Sequence, residues 1–189
     1  TQARRLAGAI AATGRAVLRT REPGGTPGAE RIRDLLLGHG PWDPVAEAML
    51  HFAARREHVA KVIRPFLAAG GWVVCDRFAD STLAYQGAQG LPREVWARLA
   101  GVALDGFAPD ATLVLDMAVE AGMARAAARG GADRYERMGA AFHARVRTGF
   151  LTIAAAEPAR CAVVDAAAGP DEVFARIAAA LHTRLGLTL

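Results

Sequence analysis

Residues 71–76 read Gly-Trp-Val-Val-Cys-Asp, a continuous apolar run that ends in an acid. Such a run is typical of a strand buried on both faces of a parallel sheet. The pattern returns at 111–116 as Ala-Thr-Leu-Val-Leu-Asp and at 161–165 as Cys-Ala-Val-Val-Asp, and residues 15–20 indicate a shorter strand. These four segments predict a parallel sheet at the centre of the fold.

Segments with helical spacing of apolar residues separate the predicted strands. The predicted helices cover residues 2–13, 29–37, 43–69 with a kink at Pro65, 92–104, 119–129, 138–156 and 171–185. Alternating strands and helices predict right-handed βαβ units, with helices on both faces of the sheet. No linker or shift in composition divides the chain, so residues 1–189 are expected to form one α/β domain.

The composition fits a globular protein of one domain, with 52% hydrophobic and 22% charged residues. Arginines interrupt the longest apolar stretches, which fall short of the roughly 20 apolar residues of a membrane span. The chain opens without a signal-peptide pattern. Cys75 and Cys161 are interpreted as small buried residues of a reduced protein. We therefore expect a cytoplasmic protein with no membrane partner.

The basic residues are almost all arginine, because Lys61 is the only lysine among 23. Genomic base composition alone can favour arginine codons, but guanidinium groups also bind phosphate in a bidentate manner. The net charge is +4, and no run of basic residues forms a contiguous stripe. An anionic small ligand is therefore favoured over nucleic acid.

Two motifs follow the first two predicted strands, at the edge where ligands bind to open parallel sheets. The first is Arg-Glu-Pro-Gly-Gly at 21–25, and the second begins with Asp76-Arg77. An acid followed by an arginine can place one group near a metal-bound phosphate and the other on a phosphate oxygen. An ordinary strand-end turn with a surface ion pair explains this dipeptide equally well.

A third cluster places glycines between arginines at about 128–139. Such a segment suits a mobile lid that closes cations over a polyphosphate, although a solvated helix-loop-helix is an equal alternative. The sequence contains no serine–histidine–acid spacing, metal-ligand cluster or glycosidase-like pair of carboxylates. Phosphoryl transfer needs few covalent participants, and a phosphate acceptor that is mostly dianionic near neutral pH needs no general base.

Together these segments resemble the thymidylate kinase family of P-loop nucleoside monophosphate kinases. The matching stretches are 20–37, 52–59, 76–87, 113–116, 128–136 and 142–151. The combination of Arg-Glu-Pro-Gly-Gly with Asp-Arg-Phe-x-Asp-Ser-x-x-Ala-Tyr-Gln-Gly is specific to that family. The resemblance implies a three-layer P-loop sandwich and a homodimer. It also implies phosphoryl transfer from ATP to dTMP with Mg²⁺, in dTTP synthesis.

The resemblance assigns Arg77 and Arg33 to the phosphate of dTMP. Glu22 is expected near the acceptor and Asp76 in the outer shell of the magnesium ion. The simpler alternative for Arg33 is a solvated position on a helix face.

The family's bacterial arrangement uses an arginine-rich lid on the ATP phosphates. The candidates here are Arg129, Arg134 and Arg137. Arg125 is expected beside the adenine. The sequence does not decide which lid arginine reaches the transferred phosphate.

Recognition of the base and sugar is assigned in the same way. Arg55 is expected to hydrogen-bond the edge of thymine. Thr82, Ser81 and Gln86 are expected to read the N3 side of the base. Tyr85 is expected against the deoxyribose, where a 2′-hydroxyl would clash. The alternatives are a solvated helix face for Arg55 and core packing for Tyr85.

One position departs from the family pattern. The residue four before Arg55, usually an aromatic that stacks on thymine, is His51 here. Phe52 lies next to it, about 100° round the helix, so the two cannot both face the base. The sequence leaves open which of them stacks.

The phosphate-binding motif Gly-x-x-x-x-Gly-Lys-Ser/Thr does not occur in these 189 residues. The opening residues look like the continuation of such a loop, which makes Thr1 a candidate ATP contact. We therefore expect roughly 15–20 further residues upstream, a strand and the loop, and negligible kinase activity without them. The connection at 38–42 is also short for the family.

Three other functions stay open on sequence grounds. One is a kinase for dUMP, UMP or a deoxynucleoside, although Tyr85 and the Ser81-Thr82 pair argue against ribonucleotides. Another is a nucleotide-binding or regulatory protein that has lost its P-loop. Nucleic-acid binding is weaker, because there is no basic patch interleaved with aromatic residues.

Overall fold

The computed structural model describes residues 1–130 and 134–189 of the chain, without the side chain of Arg129. The strands it contains in these ranges are β1 (Val17–Arg21), β2 (Trp72–Asp76), β3 (Thr112–Asp116) and β4 (Cys161–Asp165). All four predicted strands are thus confirmed, with β1 beginning two residues later than predicted. In β2, β3 and β4 a short apolar run ends in an aspartate, at the point where the chain leaves the sheet.

Most of the predicted helices are confirmed. They are α1 (Gln2–Ala12), α2 (Pro27–Gly38), α3 (Pro44–His58), α4 (Arg64–Ala68), α6 (Arg93–Leu104), α7 (Val119–Arg129), α8 (Ala140–Ala156) and α9 (Pro170–Leu185). One helix, α5 (Ala79–Gly87), was not predicted. It directly follows the Asp76-Arg77 motif and carries several candidate site residues.

The long helix predicted over 43–69 is divided just before Pro65. A π-helical turn, Val59–Ile63, connects α3 to α4. Proline lacks the amide hydrogen of a regular helix, and its ring collides with the carbonyl one turn earlier. A π-helical turn at this place accommodates both effects.

The chain divides into two compact units, Thr1–Ala108 with Leu189 and Pro109–Thr188. In the first unit β1 pairs with β2 in parallel, with Arg21 opposite Asp76. In the second unit β3 pairs with β4 in parallel, with Asp116 opposite Asp165. The two strands of each pair therefore end at the same edge of the sheet. The prediction of a single domain stays a prediction.

The apolar core of the first unit fixes the orientation of α3. Its buried members are Phe52, Val59, Ile63, Ala79, Ala103 and Leu104. The ring of Phe52 packs edge-on against Trp96, with 6.3 Å between the ring centroids. Arg55, next to Phe52 on the helix surface, and His58 both contact Glu22, which follows β1.

In the second unit α8 and α9 pack against the β3–β4 pair. Arg147 on α8 donates two hydrogen bonds, of 2.7 and 2.8 Å, to the carboxylate of Asp116 at the end of β3. This contact lowers the pKa of Asp116 below its ordinary value. Across both units, none of the helices in residues 1–130 and 134–189 is long and apolar enough to cross a membrane.

We expect the hydroxyl of Thr26 to stabilise the start of α2. Thr26 is the N-cap residue, and its side chain accepts a hydrogen bond of 3.1 Å from the amide of Ala29. Thr26→Ala should therefore lower the free energy of unfolding by about 1 kcal/mol. Thr26→Ser keeps the oxygen and is the matched control. Urea unfolding that gives equal stability for wild type and Thr26→Ala would show that the cap contributes nothing.

Candidate active site

The carboxyl ends of β1 and β2 form one edge of the site. Beyond the paired Arg21 and Asp76, the amide of Glu22 donates a hydrogen bond of 3.0 Å to the carbonyl of Asp76. Arg77 follows with φ at 69°, in the left-handed region that non-glycine residues seldom adopt. Strained positions of this kind cluster at functional sites.

One face of α3 carries four polar residues. Glu47, His51, Arg55 and His58 follow one another at spacings of four, four and three, which places them in line on the helix. All four are buried. Lone buried charges are unfavourable, so each of these side chains needs polar partners on neighbouring elements.

Arg55 is the best-connected of these residues. Its Nε donates a hydrogen bond of 2.6 Å to Oε2 of Glu22, and its Nη2 donates one of 3.2 Å to Oγ1 of Thr82. The guanidinium also lies over the rings of Phe52 and Phe78, at 4.8 and 5.4 Å from their centroids. These contacts fix the plane of the group. Both Arg55 and Glu22 are only 2% exposed.

The remaining nitrogen of Arg55, Nη1, is buried and has no hydrogen-bond partner among the residues that the structure describes. Leaving a buried donor unpaired is costly, more so on a charged group. An acceptor oxygen supplied by a ligand would remove this penalty.

His51 lies in a field of positive charge. Burial lowers its pKa to about 3, and the nearby Arg55, Arg77 and Arg33 lower it as well. The imidazole is therefore neutral at every pH at which the protein is expected to work. Arg55 is paired with Glu22, so Arg33 and Arg77 are the two guanidinium groups near His51 whose charge suits a bound anion.

Arg33 and Arg77 come to this site from different elements. Arg33, on α2, donates a hydrogen bond of 3.0 Å to the carbonyl of Pro23. Arg77 donates one of 3.0 Å to the hydroxyl of Tyr85, and its guanidinium lies 4.6 Å from the centre of that ring. These contacts with Pro23 and Tyr85 hold both arginines near His51.

The helix α5 presents two pairs of residues one turn apart. Thr82 and Gln86 are buried, whereas Ser81 and Tyr85 are half-buried. The amide nitrogen of Gln86 donates a hydrogen bond of 3.2 Å to Oε2 of Glu47. These contacts connect α5 to the polar face of α3.

The two candidates for base stacking are separated by the structure. Phe52 packs its ring into the core against Trp96. His51, by contrast, lies near the three arginines. The helix turns the two side chains to different sides, as their adjacent positions require.

Several other candidates lie in the second unit or at the chain start. Arg125 donates hydrogen bonds of 2.7 and 2.8 Å to the carbonyls of Ala166 and Ala167, after β4. Arg134 lies over the ring of Tyr135, and Arg137 is exposed. Thr1 is exposed at the start of α1. The side chain of Arg129 and residues 131–133 of the predicted lid lie outside the described residues.

Two buried residues of this site, Glu47 and His58, were assigned no role from the sequence. His58 Nδ1 lies 3.1 Å from Oε1 of Glu22, and its Nε2 lies 2.8 Å from Oγ1 of Thr20. The regular spacing of polar residues along α3, between apolar residues that form the core, was the signal that could have found both.

Comparison with known proteins gives consistent matches. The family model described as thymidylate kinase matches residues 1–177. The chain is 54% identical to a thymidylate kinase of Caulobacter vibrioides over 99% of this chain and 91% of that protein. It is 50% identical to one of Rhizorhabdus wittichii, over 96% of this chain and 89% of that protein.

A solved structure also matches. The crystal structure of thymidylate kinase from Ehrlichia chaffeensis is similar with a TM-score of 0.78 and 33% identity, over 96% of this chain and 90% of that one. This similarity confirms the predicted P-loop α/β fold class. The expectation that these 189 residues are an inactive fragment is not borne out, because the chain covers about nine-tenths of its relatives.

We expect acid to destabilise the protein through His51. Between about pH 7 and pH 5 the unfolded chain takes up a proton at this residue, whose pKa is 6.5 there, while the folded protein does not. The resulting loss in the free energy of unfolding is about 2 kcal/mol. His51→Phe removes it.

Urea unfolding of wild type and His51→Phe at both pH values checks this expectation. His39→Phe, which replaces an exposed histidine, controls for the loss of a histidine as such. The variant should lose less stability on acidification than wild type. Parallel losses in the two proteins would contradict a neutral buried His51.

Proposed function

The chain belongs to the thymidylate kinase family, and on that premise we propose that it transfers the γ-phosphoryl group of ATP to dTMP, giving dTDP and ADP. The observation that carries this proposal is the unpaired Nη1 of Arg55. A pyrimidine carbonyl is an acceptor of the right kind for it. The arginines around His51 complement the phosphate of the same nucleotide.

We assign the phosphate of dTMP to Arg77 and Arg33. Near neutral pH this phosphate is mostly dianionic, since its second pKa is about 6. It can attack without a general base, so the protein contributes position and charge. Guanidinium groups suit the task because their donors match phosphate oxygens in pairs.

Glu22 receives a different role from the one that the sequence indicated. It was expected near the phosphate acceptor. Its two carboxylate oxygens instead contact Arg55 and His58, and the residue is only 2% exposed. We therefore propose that Glu22 acts through Arg55 by fixing the direction of the guanidinium.

We propose that the base is read from three sides. Arg55 donates to a carbonyl oxygen, and Gln86 with Thr82 and Ser81 faces the N3 side. The neutral imidazole of His51 stacks on the ring, because Phe52 is committed to the core.

Tyr85 is proposed to exclude ribonucleotides. It would lie against the deoxyribose, where its ring leaves no room for a 2′-hydroxyl. The hydrogen bond from Arg77 and the guanidinium over its ring support this assignment, since they hold the aromatic side chain in one place. The same contact couples sugar recognition to phosphate binding.

Asp76 is the residue that would serve a magnesium ion, in the outer shell. Its exposed carboxylate at the end of β2 fits, because Mg²⁺ prefers oxygen ligands and keeps several waters. When bound, the ion neutralises charge on the transferred phosphate. Arg125, Arg129, Arg134, Arg137 and Thr1 stay predicted ATP contacts.

The homodimer implied by the family stays a prediction, as does the cytoplasmic location. Two exposed apolar side chains in the first unit support an interface. Met49 on α3 is 55% exposed and Val102 on α6 is 83% exposed. A partner copy that covers them would remove apolar surface from water.

A coupled assay of ADP release tests the proposed function on the full-length protein. Turnover should be highest with dTMP, lower with dUMP and lowest with UMP. The other functions left open by the sequence predict either no turnover or a different order. Equal turnover of dTMP and UMP would contradict the role of Tyr85.

Substitution of Arg77 or Arg33 tests the proposed phosphate contacts. Arg77→Ala should lower kcat/KM for dTMP by about 100-fold or more, since it removes a cation that holds the reacting phosphate. The fold should persist, because Arg77 is exposed. Arg33→Ala should act in the same direction.

Arg31→Ala is the matched control for Arg33→Ala. Arg31 is exposed on the same helix, two residues away, and points to a different side. Near-normal activity of Arg77→Ala, or equal losses in the Arg31 and Arg33 variants, would rule out the assigned phosphate contacts.

A further inference from the structure

We propose that His58 is a positioning residue for base recognition, a role that rests on the proposed function. It holds the carboxylate of Glu22, and Glu22 in turn sets the direction of Arg55. His58 lies on α3 three residues after Arg55, with none of its side chain exposed. Both of its ring nitrogens contact protein side chains, Thr20 and Glu22, so His58 acts through its neighbours.

A chain of hydrogen bonds carries this inference. His58 Nε2 lies 2.8 Å from Oγ1 of Thr20, and its Nδ1 lies 3.1 Å from Oε1 of Glu22. The other carboxylate oxygen of Glu22 accepts from Nε of Arg55 at 2.6 Å. Arg55 then donates to Thr82 and ends in the unpaired Nη1. The chain thus runs from β1 to the ligand-facing nitrogen.

The chemistry of Glu22 and Arg55 determines which atoms donate and which accept in these hydrogen bonds. A carboxylate paired with a guanidinium only accepts hydrogen bonds, so Nδ1 of His58 must carry the proton. Nε2 faces the hydroxyl of Thr20, a group that can donate or accept. Thr20 therefore holds the ring in the orientation that directs Nδ1 to Glu22. Each oxygen of the carboxylate has its own donor, which prevents its rotation.

Gly25 leaves room for the imidazole ring of His58 because it has no side chain. A Cβ added at Gly25 would lie 2.3 Å from Nε2 of His58, far closer than a real contact allows. Gly25 also has φ at 87°, which favours glycine. The loop after β1 is therefore shaped to receive His58, and the ring connects α3 to that loop.

A metal site formed by the same residues is less consistent with these contacts. Ligand atoms of Glu22, His58 and Cys75 all lie within 4.8 Å of one another. Both ring nitrogens of His58 are already engaged, however, and the guanidinium of Arg55 would repel a divalent cation. Burial and the charge of Glu22 also raise the pKa of the Cys75 thiol, which disfavours the thiolate ligand.

The test compares His58→Leu, which removes both contacts, with His58→Asn, whose side-chain amide can still donate to Glu22. His58→Leu should raise KM and Kd for dTMP by about tenfold, because the aim of Arg55 is lost. The KM for ATP should change by less than about twofold. His58→Asn should recover most of the loss.

Two further variants keep the test decisive. Ile63→Val lowers stability in the same core without altering the hydrogen bonds between Thr20, His58, Glu22 and Arg55. It should leave the KM for dTMP unchanged. Thr20→Val removes the hydroxyl that contacts Nε2 of His58, and should weaken dTMP binding even if His58→Leu does not fold. A double variant with Arg55→Lys should show no additional loss from His58→Leu.

An unchanged KM for dTMP in both His58→Leu and Thr20→Val would overturn the inference. Equal increases in the KM values for dTMP and ATP would also overturn it, since they indicate a general structural role. Failure of the wild-type protein to bind dTMP is a different outcome, because it would remove the proposed function itself.

Discussion

The ion pair between Glu22 and Arg55 is the interaction on which the rest of the site depends. Burying two charges is unfavourable unless their geometry is good and their remaining polar atoms find partners. Here His58 and Thr82 supply those partners, and the pair joins the loop after β1 to α3 and α5. Removing one charge would leave the other uncompensated, at a cost of about 3–5 kcal/mol. Substituting either residue alone would therefore lower stability as well as release the other side chain.

Selectivity follows from what this arrangement leaves unsatisfied. Arg33 and Arg77 lie near His51, and one donor of Arg55 lacks an acceptor. In the proposed complex the phosphate of a nucleoside monophosphate contacts the first two arginines, and a carbonyl of its base accepts from Arg55. The proposed phosphate contacts come from α2 and the turn after β2, whereas Arg55 and His51 of the proposed base subsite lie on α3, so binding of one part of the substrate would orient the other. Little chemistry is then required of the protein beyond this orientation.

Much of this could be predicted from the sequence because strand ends and arginines carry clear signals. The apolar runs at 71–76 and 111–116 gave correct strands, and the arginines at the strand ends drew attention to Arg77, which contacts Tyr85. The helix α5 was missed because its mixed polar sequence has no apolar stripe. His58 and Glu47 were missed because a polar helix face is usually solvated. Only the packing shows that this face is buried.

A crystal structure of the protein with dTMP bound tests whether Arg55 reads the base. Nη1 of Arg55 should lie about 3 Å from a carbonyl oxygen of the pyrimidine. The Nε of Arg55 should remain on Glu22, and the phosphate should contact Arg77. A complex in which dTMP binds while Nη1 contacts no atom of the base, or in which Arg55 has left Glu22, would contradict it.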